Sequence, residues 1–489
     1  MDIRTAKEQI RNAVIAYRTR DEYGRTVIPV ERQRPVFLIG APGIGKTAIV
    51  EQIAKELGIG LVSYSITHHT RQSALGLPFI SEKEYDGKHY RVSEYTMSEI
   101  IAAVYEKQLE TGINEGILFL DEINCVSETL TPAMLQFLQY KVFGQHRVPD
   151  GWIVITAGNP PEYNSSVREF DMVTSDRLKK IETEPDIEVW RKWAVNEGVH
   201  QAVISYLDIR RDDFYHAEND IDGRRFVTPR GWTDLSEMLK LYEVNGLETD
   251  EFLVEQYLQD KKTAASFTAY YELWKKYEKE YGIKDILEGR TDDGVMERAK
   301  TTAFDERISI IGLLLDDIRH SMSEVLKKRR VLAAVKEIIL GINDEADVTA
   351  LLSEIINDLE TSVSGALGKM KEERETERIL GMIKILKEFL KDGVSGREEL
   401  KDAYRIRLAG LRDESERCAK HLENMFGFIG EAYGRGPEAE LVMTELTAGD
   451  VSAEYISIYG SESYFRYSKE LLFYERKKEL KRRIEEADL

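Results

Sequence analysis

The chain has 489 residues, with 68 Lys+Arg against 88 Asp+Glu, a formal net charge of −20, and 42% hydrophobic residues. At roughly 150 residues per domain this is about three domains of chain, each able to bury a core, which excludes global disorder. The acidic balance sets the whole-molecule field against nucleic acid and anionic membrane, no apolar run reaches the ~18–20 residues of a membrane span, and the two cysteines, Cys125 and Cys418, make neither a disulfide framework nor a zinc-type spacing.

The opening segment lacks a signal peptide's apolar centre, so a cytoplasmic location is expected. Its Ile10, Val14 and Tyr17 fall about a turn apart and predict an amphipathic helix, followed by a polar stretch with Gly24. Short apolar runs come next, at Val36 to Ile39, Leu61 to Tyr64, Ile117 to Leu120 and Ile153 to Thr156, with helical segments between them. Runs too apolar to be half-solvated, alternating with helices, predict an α/β fold whose parallel sheet is covered on both faces. After about Pro185 the strand-like runs stop and nearly everything beyond reads as helix. Ile308, Ile311, Leu315, Ile318, Met322 and Val325 step by three and four and predict one long helix with an apolar seam. Further helical patterns hold Leu352, Ile355, Ile356 and Leu359, then Ile379, Met382, Ile383 and Leu386, with Gly393 and Gly396 marking a break.

Directly after the first apolar run stand Gly40, Ala41, Pro42, Gly43, Ile44, Gly45, Lys46 and Thr47, followed by a helical stretch that opens at Ala48. The pattern G-x-x-x-x-G-K-S/T is complete and sits between a strand and a helix, the setting of a phosphate-binding loop. Glycines let the backbone N–H groups turn inward onto phosphate oxygens, while the following helix points its positive end at the same anion. Lys46 then supplies charge to the β and γ phosphates, and Thr47 a hydroxyl to Mg²⁺. The run ending at Leu120 leads into Asp121 and Glu122, two carboxylates at the open end of a buried strand, which need positive charge nearby. Asp121 is expected to hold Mg²⁺ through water and Glu122 to activate the water that attacks the γ-phosphate. Asn159, after the next strand-like run, is expected to contact the γ-phosphate and that water; the competing reading is an Asn-Pro turn.

The stretches GAPGIGKT, LFLDEIN, TAGNPP, TSDRLKKIE and FVTPRGW, in this order over about the first half of the chain, resemble an AAA+ ATPase of the MoxR branch, with its dynein-related type of ATPase domain. The resemblance implies an AAA+ P-loop core over residues 1–185, a helical lid over 186–290 and an all-α domain over 291–489, with ATP and Mg²⁺ as cofactors. It implies a ring of copies, a hexamer, in which an arginine of one subunit completes its neighbour's site. Arg177 matches that position and Arg168 is the second candidate; Arg230, in the pair Pro229-Arg230, matches a lid sensor. For each arginine the alternative is a surface ion pair.

Residues from His68 to Met97 occupy the position of the branch's helix 2 insertion, and Lys141 to Asp150 resemble the hairpin before the sensor strand; both are expected to face the central pore. His68 and His69 have no third ligand nearby and read as loop residues rather than a metal site. Tyr464, Tyr467, Leu471 and Tyr474, followed by Lys477, Lys478, Lys481, Arg482 and Arg483, read as a helix buried along its aromatic stripe rather than a grip on nucleic acid. The implied function is ATP-driven remodelling of a partner protein, one with a von Willebrand factor A domain; lacking a D-x-S-x-S motif, this chain would meet that domain on a separate polypeptide. Neither membrane nor nucleic acid is an expected partner. The alternatives are a nucleotide-gated scaffold with incidental turnover and a nucleic-acid or GTP-dependent motor.

Overall fold

The computed structural model of the chain describes residues 1–68, 74, 76–127, 129–163, 167, 170–220, 223–342, 347–364 and 373–470. They fold into two compact units, one of Met1–Arg191 with Arg210–Ser266, the other of Lys192–Ile209 with the chain from Phe267 on. In chain order the elements are α1 (Ile3–Arg18), β1 (Val36–Gly40), α2 (Lys46–Glu56), β2 (Gly60–Ser65), β3 (Pro78–Tyr85), β4 (Lys88–Tyr95), α3 (Glu99–Thr111), β5 (Gly116–Asp121) and α4 (Thr131–Tyr140). There follow β6 (Val142–Phe143), β7 (His146–Arg147), β8 (Trp152–Gly158), α5 (Met172–Ser175), β9 (Lys179–Thr183), α6 (Ile187–Asn196), α7 (Gln201–Ile209), β10 (His216–Asp220), β11 (Gly223–Val227), α8 (Pro229–Asn245) and α9 (Glu251–Leu258). Helices complete the chain: α10 (Lys261–Tyr281), α11 (Ile283–Leu287), α12 (Asp293–Thr301), α13 (Phe304–Gly341), α14 (Val348–Ser364), α15 (Glu373–Lys391), α16 (Arg397–Ala432), α17 (Pro437–Ala448) and α18 (Asp450–Tyr459).

The first unit is built on a parallel sheet in the order β2-β5-β8-β1-β9. Alternate side chains of each central strand enter different cores. Val36, Leu38, Ile117, Phe119, Ile153 and Ile155 pack with Ile10 and Val14 of α1 and Val50 and Ile53 of α2. Phe37, Leu118, Leu120 and Val154 pack on the other face with Ile100 and Val104 of α3 and Phe137 of α4. Two covered faces are the reason these strands are apolar at nearly every position. β9 at the sheet edge is different: Ile181 and Thr183 are buried while Lys180 and Glu182 are exposed, so its polar alternation hides it from a search for apolar runs.

Three hairpins decorate this unit. β3 and β4 pair around Asp86-Gly87, both at positive φ (50° and 72°), the backbone of a tight two-residue turn, and they form the stretch expected as the helix 2 insertion. β6 and β7 pair around Gly144, inside the second expected insertion. Tyr95 at the end of β4 meets Gly144, where an added Cβ would lie 3.3 Å from its own, and the Tyr95 carbonyl lies 3.2 Å from His146 Nε2. The third hairpin, β10–β11, lies in the part of the chain expected to be nearly all helix.

Lys141 caps α4 at φ 55° and is 1% exposed, with its ammonium donating to Gln33 Oε1 at 3.1 Å. Gln33 is itself fixed, its amide donating to the carbonyls of Tyr17 (3.1 Å) and Ile28 (3.0 Å). Burial lowers the Lys141 pKa from 10.5 to about 8, against the pull of Glu31 and Asp150. The unfolded chain therefore holds this proton up to about pH 10.5 and the folded chain only to about 8, so unfolding takes up a proton within that window. Stability should rise with pH between the two values, by at most about 1.4 kcal/mol per unit for each such lysine. Lys141→Met is expected to flatten that rise, measured as thermal midpoints at pH 7.5 and pH 10; an unaltered slope would assign it elsewhere.

In the second unit α13 is buried continuously from Ile308 to Leu315 and then along Ile318, Met322, Val325 and Leu326, and it packs against α7, α15, α16 and α18. Its Arg319 pairs with the buried Glu445 carboxylate and donates to Gln201 Oε1 at 2.9 Å. Farther along, Val335 and Ile339 join Leu352 and Ile356 of α14 and Met382 and Leu386 of α15 in one core, and Gly393 and Gly396 lie in the break between α15 and α16. Cys418 is buried, which pushes its thiol up to about 11, and the partly buried Cys125 is also raised; neither is a reactive thiolate. Tyr467 is buried against Phe426, ring centroids 5.2 Å apart, whereas Leu471, Tyr474 and the basic residues from Lys477 to Arg483 lie outside the described residues. Among the described residues no helix is long and apolar enough to cross a membrane. The expected fold class holds: a parallel α/β sheet followed by a mostly helical region that is helix alone from Pro229 on among the described residues.

Candidate active site

The loop between β1 and α2 is shaped by its glycines. Gly43 (φ 76°) and Gly45 (φ 94°) are left-handed, a conformation strained for other residues, and an added Cβ on Gly40 would collide with the Thr183 hydroxyl of β9. α2 begins at Lys46 with its first N–H groups directed back at the loop. The Lys46 ammonium folds over the loop, donating at 2.8 Å to each of the Gly40 carbonyl, the Ala41 carbonyl and Asn159 Oδ1. Burial lowers its pKa to about 8; Asp121 and Glu122 pull it up, and Arg230 adds to the lowering.

The strand order brings the remaining groups together. β8 lies between β1 and β5, so Asn159, just past its end, stands between the loop and the acidic pair. Thr47 Oγ1 donates to Asp121 Oδ2 at 3.2 Å, and the Glu122 N–H donates to Asp121 Oδ1 at 2.9 Å. Glu122, at φ 55°, swings the chain into the short turn Ile123–Cys125. Its Oε2 accepts from Thr67 Oγ1 (3.2 Å) and Ser65 Oγ (3.4 Å). Sequence reasoning missed those two hydroxyls; the signal lay in pairing β2 with β5, which sets Ser65 opposite Asp121. It missed Asn124 as well, whose Nδ2 donates to the Asn159 carbonyl at 2.8 Å.

Thr228 caps α8 by accepting from the Gly231 N–H, Pro229 starts the helix, and the Arg230 N–H donates to the Gly43 carbonyl at 3.1 Å. The Arg230 side chain is exposed beside the loop. Arg177 is elsewhere. It is exposed ahead of β9, whose Lys179 is opposite Val36 and whose Thr183 is opposite Gly40, so it belongs to the sheet edge remote from its own phosphate loop. Arg168 lies outside the described residues, as do His69 and Thr70 to Ser73, while His68 closes a short turn, Ile66–His68.

Residues 36–173 match the model of the ATPase family associated with various cellular activities (AAA). This stretch is an AAA ATPase-family domain. The AAA domain opens on β1 and contains the phosphate loop, Asp121, Glu122 and Asn159. The replication factor C large subunit of Pyrobaculum arsenaticum is 24% identical over 205 residues, 40% of this chain and 42% of that protein, so the chain spans under half the length of this relative. Among solved structures, a Thermotoga maritima RuvB mutant is 14% identical, with a TM-score of 0.29 over 54% of this chain and 72% of its own.

Hydroxyl and carboxylate oxygens 3.2 Å apart on Thr47 and Asp121 are hard donors of the kind Mg²⁺ accepts. Among the described residues no group of three or more His, Cys, Asp or Glu could hold a metal ion.

Proposed function

We propose that this chain is a Mg²⁺-dependent ATPase of the MoxR type that works as a ring, a hexamer, and spends hydrolysis on remodelling a partner protein that carries a von Willebrand factor A domain. The observation that carries the ATPase reading is the convergence of Lys46, Asn159, Thr47 and Asp121, joined by hydrogen bonds, on the mouth of the loop. In the reaction the loop N–H groups cradle the phosphates, and the Lys46 ammonium exchanges its carbonyl partners for β- and γ-phosphate oxygens. Thr47 and Asp121 would hold the metal, which would supply charge neutralisation when bound. Glu122 orients the attacking water and takes its proton, and Asn159 holds that water against the γ-phosphate. Arg230 from the lid and Arg177 from the next copy meet the charge on the transferring group. Residues 1–185 act as the nucleotide core, 186–290 as the lid and 291–489 as the helical domain that carries the motion outward.

Equilibrium binding of Mg-ATP tests the reading. Lys46→Ala should weaken it by about 10- to 150-fold, the worth of charge-assisted hydrogen bonds. For the natural chain affinity should fall as pH rises through about 8, because the nucleotide-free protein then loses the proton on Lys46 that the polyanion needs. The variant should lack that pH dependence. Failure of the natural chain to bind Mg-ATP overturns the reading. Likeness to a replication factor C subunit favours a second reading, a motor working on nucleic acid, and turnover stimulated by polynucleotide rather than by a protein partner would select it.

A further inference from the structure

Asn124 is 5% exposed in the turn after Glu122, and its two amide atoms face different fates. Nδ2 donates to the main-chain carbonyl of Asn159 at 2.8 Å, whereas Oδ1 is buried with no hydrogen-bond partner. The orientation is forced, because flipping the amide would set oxygen against the Asn159 carbonyl. The buried Oδ1 rests on Gly158, where any Cβ would collide with it. An orphaned buried acceptor is costly, and burying a leucine or alanine there would leave no such oxygen. What the asparagine alone supplies is a tie between two elements of the site. The hydrogen bonds run without interruption from the acidic turn through Asn124 to Asn159, from the Asn159 side chain to Lys46, and from Lys46 to the Gly40 and Ala41 carbonyls.

We propose that Asn124 is a positioning residue for ATP turnover: by fastening the turn that carries Asp121 and Glu122 to the Asn159 main chain, with Gly158 left bare to admit it, it sets the spacing between the water-activating carboxylate and the groups that grip the γ-phosphate. The inference rests on the ATPase reading above. In this proposal Asn124 acts through Glu122 and Asn159, since its hydrogen bond goes to the Asn159 main chain. Misplacement of a base and an orienting amide by about 1 Å costs on the order of 100-fold in the chemical step while leaving the phosphate cradle of the loop intact.

The test compares kcat, KM and Mg-ATP affinity for the natural chain, Asn124→Asp, Asn124→Ala, Gly158→Ala and the double variant Asn124→Ala/Gly158→Ala, with circular dichroism of each. Asn124→Asp keeps size but replaces the donor with a carboxylate, whereas Asn124→Ala removes the donor without adding charge. The expected result is a fall in kcat of at least about tenfold in each single variant, KM and affinity within about threefold, and native spectra. Gly158→Ala should act by pushing Asn124 aside, so the double variant should lose no more than the worse single one. Natural kcat in Asn124→Asp, losses carried by affinity rather than kcat, or losses that multiply in the double variant would each overturn the proposal. A natural chain that binds Mg-ATP without turning it over would instead sink the ATPase reading, and that arm involves no variant.

Discussion

Glu122→Gln is expected to bind Mg-ATP as the natural chain does and to release phosphate roughly 10²- to 10⁴-fold more slowly, the usual worth of a positioned general base. The substitution preserves shape, and a glutamine oxygen can still accept from the Ser65 and Thr67 hydroxyls that hold the carboxylate. It removes the capacity to take a proton from water. Binding should survive because, in the proposed site, the phosphates would meet the glycine loop, Lys46 and the start of α2 rather than the Glu122 side chain. Steady-state phosphate release beside equilibrium binding decides the matter. Turnover within threefold of the natural chain would mean that another group activates the water.

Arg177→Ala is expected to cost on the order of 10³- to 10⁵-fold in turnover, the range for an arginine supplied to a transferring phosphoryl group. Register is consistent with the proposed supply from a neighbouring copy. Thr183 pairs with Gly40 at the loop end of the sheet, and Arg177 precedes Thr183 by six positions, roughly 15–20 Å along the strand direction and beyond the reach of its own side chain. Being exposed, it can be removed without disturbing a core. Mixing supplies the sharper measurement. Assemblies of Arg177→Ala copies and assemblies of Glu122→Gln copies should each be nearly inactive, yet random mixing restores complete sites at about a quarter of the interfaces. Recovery of turnover on mixing supports the shared site. No recovery, or normal hydrolysis by Arg177→Ala alone, removes it.

The central sheet was legible because its inner strands are apolar on both faces, as Val36 to Ile39 and Ile153 to Thr156 illustrate. β9 was not, since an edge strand with one wet face reads Lys-Lys-Ile-Glu-Thr and resembles a loop. The β3–β4 and β10–β11 hairpins escaped for a related reason: β3 and β4 are largely exposed and charged, and pattern arguments look for burial. Within the site, Lys46, Thr47, Asp121, Glu122 and Asn159 were readable because each sits beside a strand end that the pattern marks. Ser65, Thr67 and Asn124 were not, because their roles depend on which strands lie side by side. Strand order is set by how the helices cover the sheet, which no local window contains. The long seam from Ile308 to Val325 was visible, whereas the pairing of Arg319 with Glu445 joins residues far apart in the chain.

The bond from the Arg230 N–H to the Gly43 carbonyl makes the first turn of α8 a pivot resting on the phosphate loop, with no side chain between them, since an added Cβ on Gly43 would lie 2.9 Å from Thr228 Cβ. α8 has 17 residues and is about 25 Å long, so a tilt of about 10° at the pivot sweeps its far end through roughly 4 Å. Leu241, Val244 and Leu247 are exposed at that far end. A tilt of α8 on the glycine loop would therefore be magnified at the exposed apolar residues of its far end.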